Sequence, residues 1–405
     1  MGIATGDSAA VLSIHDASAR IQAAIGRLPA EAVALRAADG RILAEPIVAG
    51  RPLPGFANSA MDGFAVRAAD LPGTLPVVGA IAAGARSPAE LAPGTAVRIM
   101  TGAPVPAGAD TIVMFEDATA DGDRVTLPAA RRDDHVRAIG EDVAIGELVV
   151  AAGVALGPGE LTVAAALGCA TVPVARRPRV AILSTGDELV AIDAAPAPGQ
   201  LVDSSSYGLA AAVRAAGGEA IYLGVVADDR AATIAAIAQA LTADVVVTTG
   251  GVSAGDHDHV RDALAAAGVT LDFWKVAMKP GKPLALGLHG AVPIFALPGN
   301  PVSSAVAFEL FVRPALLAMQ GARDVARPRA PVVLPAGYKK PPGRAHYLRT
   351  RLRRDGARLI ADLHPKQGSA ILSSLVDLDG LIEIPAALGT IEPGATADAL
   401  LLRTL

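Results

Sequence analysis

Residues 179–189 read RVAILSTGDEL and residues 244–251 read DVVVTTGG; each is an apolar run ending in a turn of small residues. Runs without polar alternation suit strands buried on both faces. Working outward, EAIYLGVV (219–226) and VPIFALPG (292–299) have the same texture. Alanine-rich segments of helical length separate or follow them: SSSYGLAAAVRAAGG (204–218), DRAATIAAIAQALTA (229–243), DHVRDALAAAGV (258–269) and PVSSAVAFELFVRPALLAM (301–319). Alternation at these lengths predicts βα units and a mainly parallel, three-layer α/β domain over residues 178–325. Ligands of such sheets sit beyond the carboxyl ends of the strands.

The residues at those ends carry chemistry. Ser184-Thr185-Gly186-Asp187-Glu188 follows the first strand. Two adjacent carboxylates there suit a divalent cation that in turn holds phosphate, although a helix cap or a solvated turn uses the same residues. Gly250-Gly251-Val252-Ser253 permits close backbone approach to a phosphate, without being a Walker A loop or a dinucleotide fingerprint. In Asp256-His257-Asp258-His259 consecutive side chains diverge, so Asp258 is read as the functional carboxylate and the histidines as incidental. Pro298-Gly299-Asn300-Pro301-Val302-Ser303 opens the last helix, where proline suits the first helical position and serines suit an anion cradle. An ordinary capped helix start has the same composition. The chain has only six lysines, and Lys275, Lys279 and Lys282 fall together in FWKVAMKPGKP. Such clustering suits compact charges for phosphate or another oxyanion.

Outside the α/β segment the texture changes. Residues 16–28 read as a helix capped by Asp16, and GPGELTVAAALGC (157–169) as another. Between them, over 46–140, prolines and glycines punctuate short apolar runs, as in a small β-rich domain. The helical pieces on either side (7–45 and 141–177) predict one discontinuous domain. Residues 330–405 have β texture again. Within them YLRTRLRR places Arg349, Arg351 and Arg353 on one face, for phosphate or for edge protection.

The 405 residues are 52% hydrophobic, 3% aromatic and carry a net charge of −5. That balance argues against nucleic acid as partner, since neither a global basic field nor stacking platforms are present. No uninterrupted apolar stretch of membrane-spanning length is read, so no membrane partner is expected. The single cysteine, Cys169, sits in an apolar run and suits a reducing, cytoplasmic setting.

Together the segments resemble the MoeA and gephyrin E-domain family, the molybdopterin molybdenumtransferases. The matching strings are PLPGFANSAMDGFAVR, RIMTGAPVPAGADTIVMFED, IGEDV, VAILSTGDEL, TTGGVSAGDHD, FWKVAMKPGKPLALG, ALPGNPVSSAVAFE and GSAILSSL, in the family's order from about residue 51 to 376. The resemblance implies a multidomain α/β homodimer with a helical discontinuous domain, a β-rich insertion and a C-terminal β-barrel. It implies insertion of molybdate into adenylated molybdopterin with release of AMP, aided by Mg2+ on Asp187, Glu188, Asp228 and Asp258. The implied catalytic groups are Asp62, Thr101, Asp142, Glu188, Asp228, Asp258, Lys275 and Lys279. Those implied or read to bind the pterin nucleotide are Ser184, Thr185, Gly186, Gly250, Gly251, Ser253, Pro298, Gly299, Asn300, Pro301, Ser303, Arg349 and Ser369. Expected partners are the molybdopterin adenylyltransferase and the enzymes that accept the finished cofactor. One position departs: Asp203-Ser204-Ser205 stands where the family has Asp-Ser-Asn. Two other readings share parts of the pattern. A pterin adenylyltransferase has the α/β core but a Gly-Gly-Thr-Gly turn and no SAMDGF insertion. A non-enzymatic cofactor-binding scaffold should show an added partner-binding segment, and none is read.

Overall fold

The computed structural model describes residues 11–85, 89–227, 229–251 and 259–403. Its centre is a six-stranded sheet. In chain order the strands are β1 (Arg179–Thr185), β2 (Glu219–Val226), β3 (Val245–Thr249), β4 (Thr270–Lys275), β5 (Pro283–His289) and β6 (Val292–Leu297). Their spatial order is β2-β1-β3-β6-β5-β4. β2, β1, β3 and β6 run parallel, while β5 and β4 are antiparallel additions at one side. The sequence reading found the four parallel strands and passed over β4 and β5. TLDFWK mixes polar and apolar residues, as an edge strand does, and so lacks the continuous run of a fully buried strand.

Helices cover both faces of this sheet. Helices α3 (Ser205–Ala215), α6 (Pro301–Ala307) and α7 (Arg313–Met319) supply one face, where Leu209, Val213, Val306 and Leu316 meet Val180, Val245 and Phe295. On the other face α4 (Arg230–Ala240) and α5 (His259–Ala266) bring Ile237, Ala263 and Leu264 against Ala181, Leu183 and Val246. α6 and α7 join through a π-turn over Phe308–Val312. Pro314 explains it: proline offers no N–H and crowds the carbonyl four residues back, so the ladder widens there. The run Pro301–Met319 is apolar enough in length and composition to cross a membrane, yet most of it is buried inside the protein, as a core helix is.

The first helix departs from its sequence reading. It runs Ile14–Ala24 (α1) and its N-cap is Ser13, whose Oγ accepts from the Asp16 amide at 3.0 Å. Its buried face, Ala17 and Ile21, joins the α/β core and not the discontinuous unit. That unit instead holds one α-helix among its described residues, α2 (Pro158–Ala166), and a 3-10 turn over Leu35–Ala37, beside two short antiparallel ladders. The ladders pair Ala30–Ala34 with Thr171–Ala175 and Ile47–Val48 with Leu148–Val150. Valine-rich ends such as TVPVA favour strand over helix.

The insertion forms a curled six-stranded sheet with apolar clusters on both sides. The C-terminal domain is a five-stranded barrel. Strand Ala345–Asp355 pairs with both Arg358–Leu363 and Gly380–Ile384, which closes the ring. This barrel is tied to the α/β domain: Met278–Lys279 adds in parallel to Ala345–His346, and Tyr347, Leu381 and Leu400 share the α/β core.

Candidate active site

A cleft of about 770 Å³ opens at the carboxyl ends of β1, β3 and β6. Its walls include Thr185, Glu188, Thr249, Gly250, Gly251, Pro298, Gly299, Asn300 and Pro301. Glycine is required at the turn after β3. Gly250 has φ +94°, and a Cβ there would meet the Thr185 carbonyl oxygen at 2.3 Å, while one on Gly251 would meet Val260 Cγ2 at 2.1 Å. The backbone of two loops can thus approach closely: the Cβ position of Gly299 lies 3.4 Å from Gly250 Cα.

Below the cleft runs a chain of hydroxyls that ends on a carboxylate. Thr249 Oγ1 donates to Ser184 Oγ at 3.3 Å, and Ser184 Oγ donates to Asp203 Oδ2 at 2.8 Å. Asp203 is 2% exposed, also lines the cleft, and accepts from the Tyr222 hydroxyl at 3.0 Å and the Ser206 amide at 3.2 Å. Burial first, then the bond to Asp203, pushes the Tyr222 hydroxyl up to about 12, so it remains a donor. Ser184, read as a ligand contact, is fully buried and spends its hydroxyl on this floor. Ser303 is likewise buried behind the helix start. Asp203 was missed as a site residue, because an aspartate before Ser-Ser-Ser looks like a simple helix cap.

The carboxylates and cations sort around this cleft. Glu188 lines it, with its carboxylate folded over Gly186, whose Cβ position lies 2.5 Å from Oε2. Asp187 is its exposed neighbour. Asp228, Ser253 and Asp258 lie outside the described residues. Lys275 ends β4 in register with Pro283, which lines the cleft. Lys279 sits farther along, paired with His346 at the seam to the barrel. Burial first, and then the charges of Lys279, Lys340 and Arg344, push the His346 imidazole down to about 4.

The barrel contributes Ala370 and Leu372 to the cleft. Arg349 holds the loop that carries them. It is 1% exposed; its Nε donates to Ser374 Oγ at 3.0 Å, and its Nη2 to the carbonyls of Gly368 (2.9 Å) and Lys366 (3.3 Å). Arg349, read as a substrate contact, thus anchors this loop, and its described hydrogen bonds stay within its own domain. Ser369 lies between the anchored Gly368 and Ala370, half-buried beside the cleft. Arg351 and Arg353 form exposed ion pairs with Asp377 and Asp362.

A second cluster forms on the insertion. The Thr101 amide and hydroxyl both donate to Asp62 Oδ1 at 2.7 Å. These two bonds hold the exposed Asp62 carboxyl below the usual carboxylate value, amide first. The Gly102 amide donates to the Ser59 carbonyl and the Ser59 amide to the Ala103 carbonyl, bracing this corner. Nearby, Asp142 shares a shallow 510 Å³ depression with Asn58, Arg137 and Glu141, where Asn58 pairs with Arg137. Among the described residues no side chain lines both this depression and the α/β cleft.

Comparison with known proteins matches the segments that carry these parts. Residues 12–168 match the MoeA N-terminal region (domains I and II), 181–318 the family described as 'probable molybdopterin binding domain' and 331–402 the MoeA C-terminal region (domain IV). The chain is 42% identical over 367 residues to molybdopterin molybdenumtransferase 2 of Mycobacterium tuberculosis, covering 87% of this chain and 90% of that one. It is 35% identical over 386 residues to the molybdopterin molybdenumtransferase of Bacillus subtilis, covering 92% and 90%. The crystal structure of a molybdopterin biosynthesis MoeA protein from Pyrococcus horikoshii superposes with a TM-score of 0.85 at 30% identity, covering 98% of this chain and all of that one. An enzyme built on the α/β domain alone would leave the first and third matches unexplained. With insertion, cleft and barrel all matched in order, the chain belongs to the MoeA family of molybdopterin molybdenumtransferases.

Proposed function

We propose that the protein inserts molybdate into adenylated molybdopterin and releases AMP, completing a molybdenum cofactor. The observation that carries this is the cleft: two backbone loops that meet at Gly250 and Gly299, a carboxylate on its wall and a barrel loop across one side. Open backbone loops at strand ends receive phosphates. Lys275, next to Pro283, offsets the repulsion between a molybdate dianion and a phosphate-bearing ligand. The one cysteine, Cys169, packs among the apolar residues of the discontinuous unit, so the sulfur donors come with the substrate.

Mg2+ fits the oxygen donors at the mouth. Such an ion is held by one or two carboxylates plus substrate phosphates and water, and Glu188 on the cleft wall, with its neighbour Asp187, would hold it. When bound, it would stabilise negative charge on the parting phosphate. Asp62, held in one orientation by Thr101, acts from the insertion. Because no described residue of the insertion lines the cleft, we place the complete site between two protomers of a homodimer. The reaction then sits in the cytoplasm, between the adenylyltransferase that makes the substrate and the enzymes that take the product.

The test is incubation with adenylated molybdopterin, molybdate and Mg2+. AMP is measured by chromatography and cofactor by activation of a cofactor-free molybdoenzyme. Both should appear together and only with molybdate. AMP released equally without molybdate, or no AMP at all, would overturn the proposal.

A further inference from the structure

Aromatic residues are 3% of this chain, and it has four tyrosines. Two of the four stand together and exposed: Tyr207 at 49% and Tyr222 at 45% exposure, with ring centroids 6.4 Å apart and planes at 45°. Tyr207 lies in the first turn of α3, two residues after Ser205, which lines the cleft. Tyr222 stands on β2, the edge strand of the sheet, and its hydroxyl is fixed on Asp203, another cleft residue. Leu201, 63% exposed, adds an apolar side chain to the cleft wall. Exposed rings gain little from folding itself. A tyrosine fixed by its hydroxyl offers a flat, pre-oriented face, and a heteroaromatic ring stacks on such a face whatever its substituents.

We propose that Tyr207 and Tyr222 form a stacking shelf on the rim of the cleft, taking one bicyclic heteroaromatic ring of the adenylated pterin. This rests on the substrate assignment made above. The ring is either adenine or the pterin, and two ligands separate them: AMP carries only the first, molybdopterin without its adenylyl group only the second. Asp203 is the positioning residue, since it orients the Tyr222 ring and caps α3 through the Ser206 amide.

The experiment is anaerobic calorimetric titration of the full-length protein with each ligand. Tyr207→Ala and Tyr222→Leu should raise Kd for one of the two ligands by about fivefold or more and leave the other unchanged. Tyr222→Phe, which keeps the ring but frees it from Asp203, should lose clearly less affinity than Tyr222→Leu. Turnover of adenylated molybdopterin by Tyr207→Ala should show the loss in KM. Unchanged affinity for both ligands in Tyr207→Ala and Tyr222→Leu would overturn the shelf. So would equal losses in Tyr222→Phe and Tyr222→Leu, which would trace the effect to the Asp203 bond and not to stacking. Failure of the substrate assignment reads differently: the wild-type protein would then bind neither ligand.

Discussion

Asp62 illustrates what one residue can be asked to do. Its carboxylate is exposed, yet two short bonds from Thr101 fix one of its oxygens. The depressed pKa gives the sign of the linkage. The stability from these bonds is fully present above the ordinary carboxylate value of 3.8 and is lost as pH falls through the lower folded value. At neutral pH Asp62 is thus a fixed anion. Asp62→Asn keeps the shape and the turn but removes the charge. It should slow single-turnover AMP release about a hundredfold while leaving AMP binding at the cleft nearly unchanged. A turn aspartate ahead of Gly63 would tolerate asparagine equally well, so a wild-type rate in this variant would make Asp62 structural. The sequence shows Asp62 and Thr101 as separate motifs 39 positions apart. No local pattern could say that one would donate twice to the other. Asp203 was hidden for the opposite reason: its role depends on Tyr222, 19 residues away on another strand.

At the scale of elements, the parallel strands were legible because burial on both faces writes an unbroken apolar run. β1, β3 and β6 have that burial; β2 has the apolar run although it lies at an edge and is only half-buried, and β4, at the other edge, has neither. The turn after β3 was legible as glycine but not as a necessity. The need arises from β1, whose Thr185 carbonyl lies where a Gly250 side chain would go. Gly250→Ala should therefore cost about 2 kcal/mol or more, from steric conflict and the positive φ together. Gly79→Ala is the matched control. Gly79 is also in a sheet-forming region, has ordinary φ and no heavy atom within 4 Å of its Cβ position. Urea melts should separate the two variants clearly; equal midpoints would mean that the β1–β3 loops yield to a methyl group. The arginines of the barrel strand carry the same lesson. Alternation put Arg349, Arg351 and Arg353 on one face, but only the fold reveals that Arg349 alone is covered, by the loop it anchors.

For the whole molecule, a cleft that Glu188 lines and no described insertion residue reaches makes a prediction about assembly. In a twofold-symmetric dimer each site would draw Asp62 from one protomer and Glu188 from its partner. Protein refolded from an equal mixture of Asp62→Asn and Glu188→Gln chains should then recover about a quarter of wild-type AMP release, since half the dimers are mixed and each holds one intact site. Each variant alone should be inactive. Recovery no greater than the sum of the two separate variants would place both residues in one chain, as would a particle of 40.6 kDa that is fully active. The placement of α1 has a different kind of consequence, one of timing. Leu12 is hydrogen-bonded to the strand end at Lys275, and Ile21 packs with residues as distant as Met319. The ribosome makes α1 well before the residues that bury it. At about 5–20 residues per second, the helix waits on the order of ten seconds or more for the sheet that buries it. An isolated helix of 11 residues is barely stable in water. Until the intervening discontinuous unit and insertion have been made and the sheet has followed, the Ala17 and Ile21 stripe of α1 therefore has nothing of its own core to pack against.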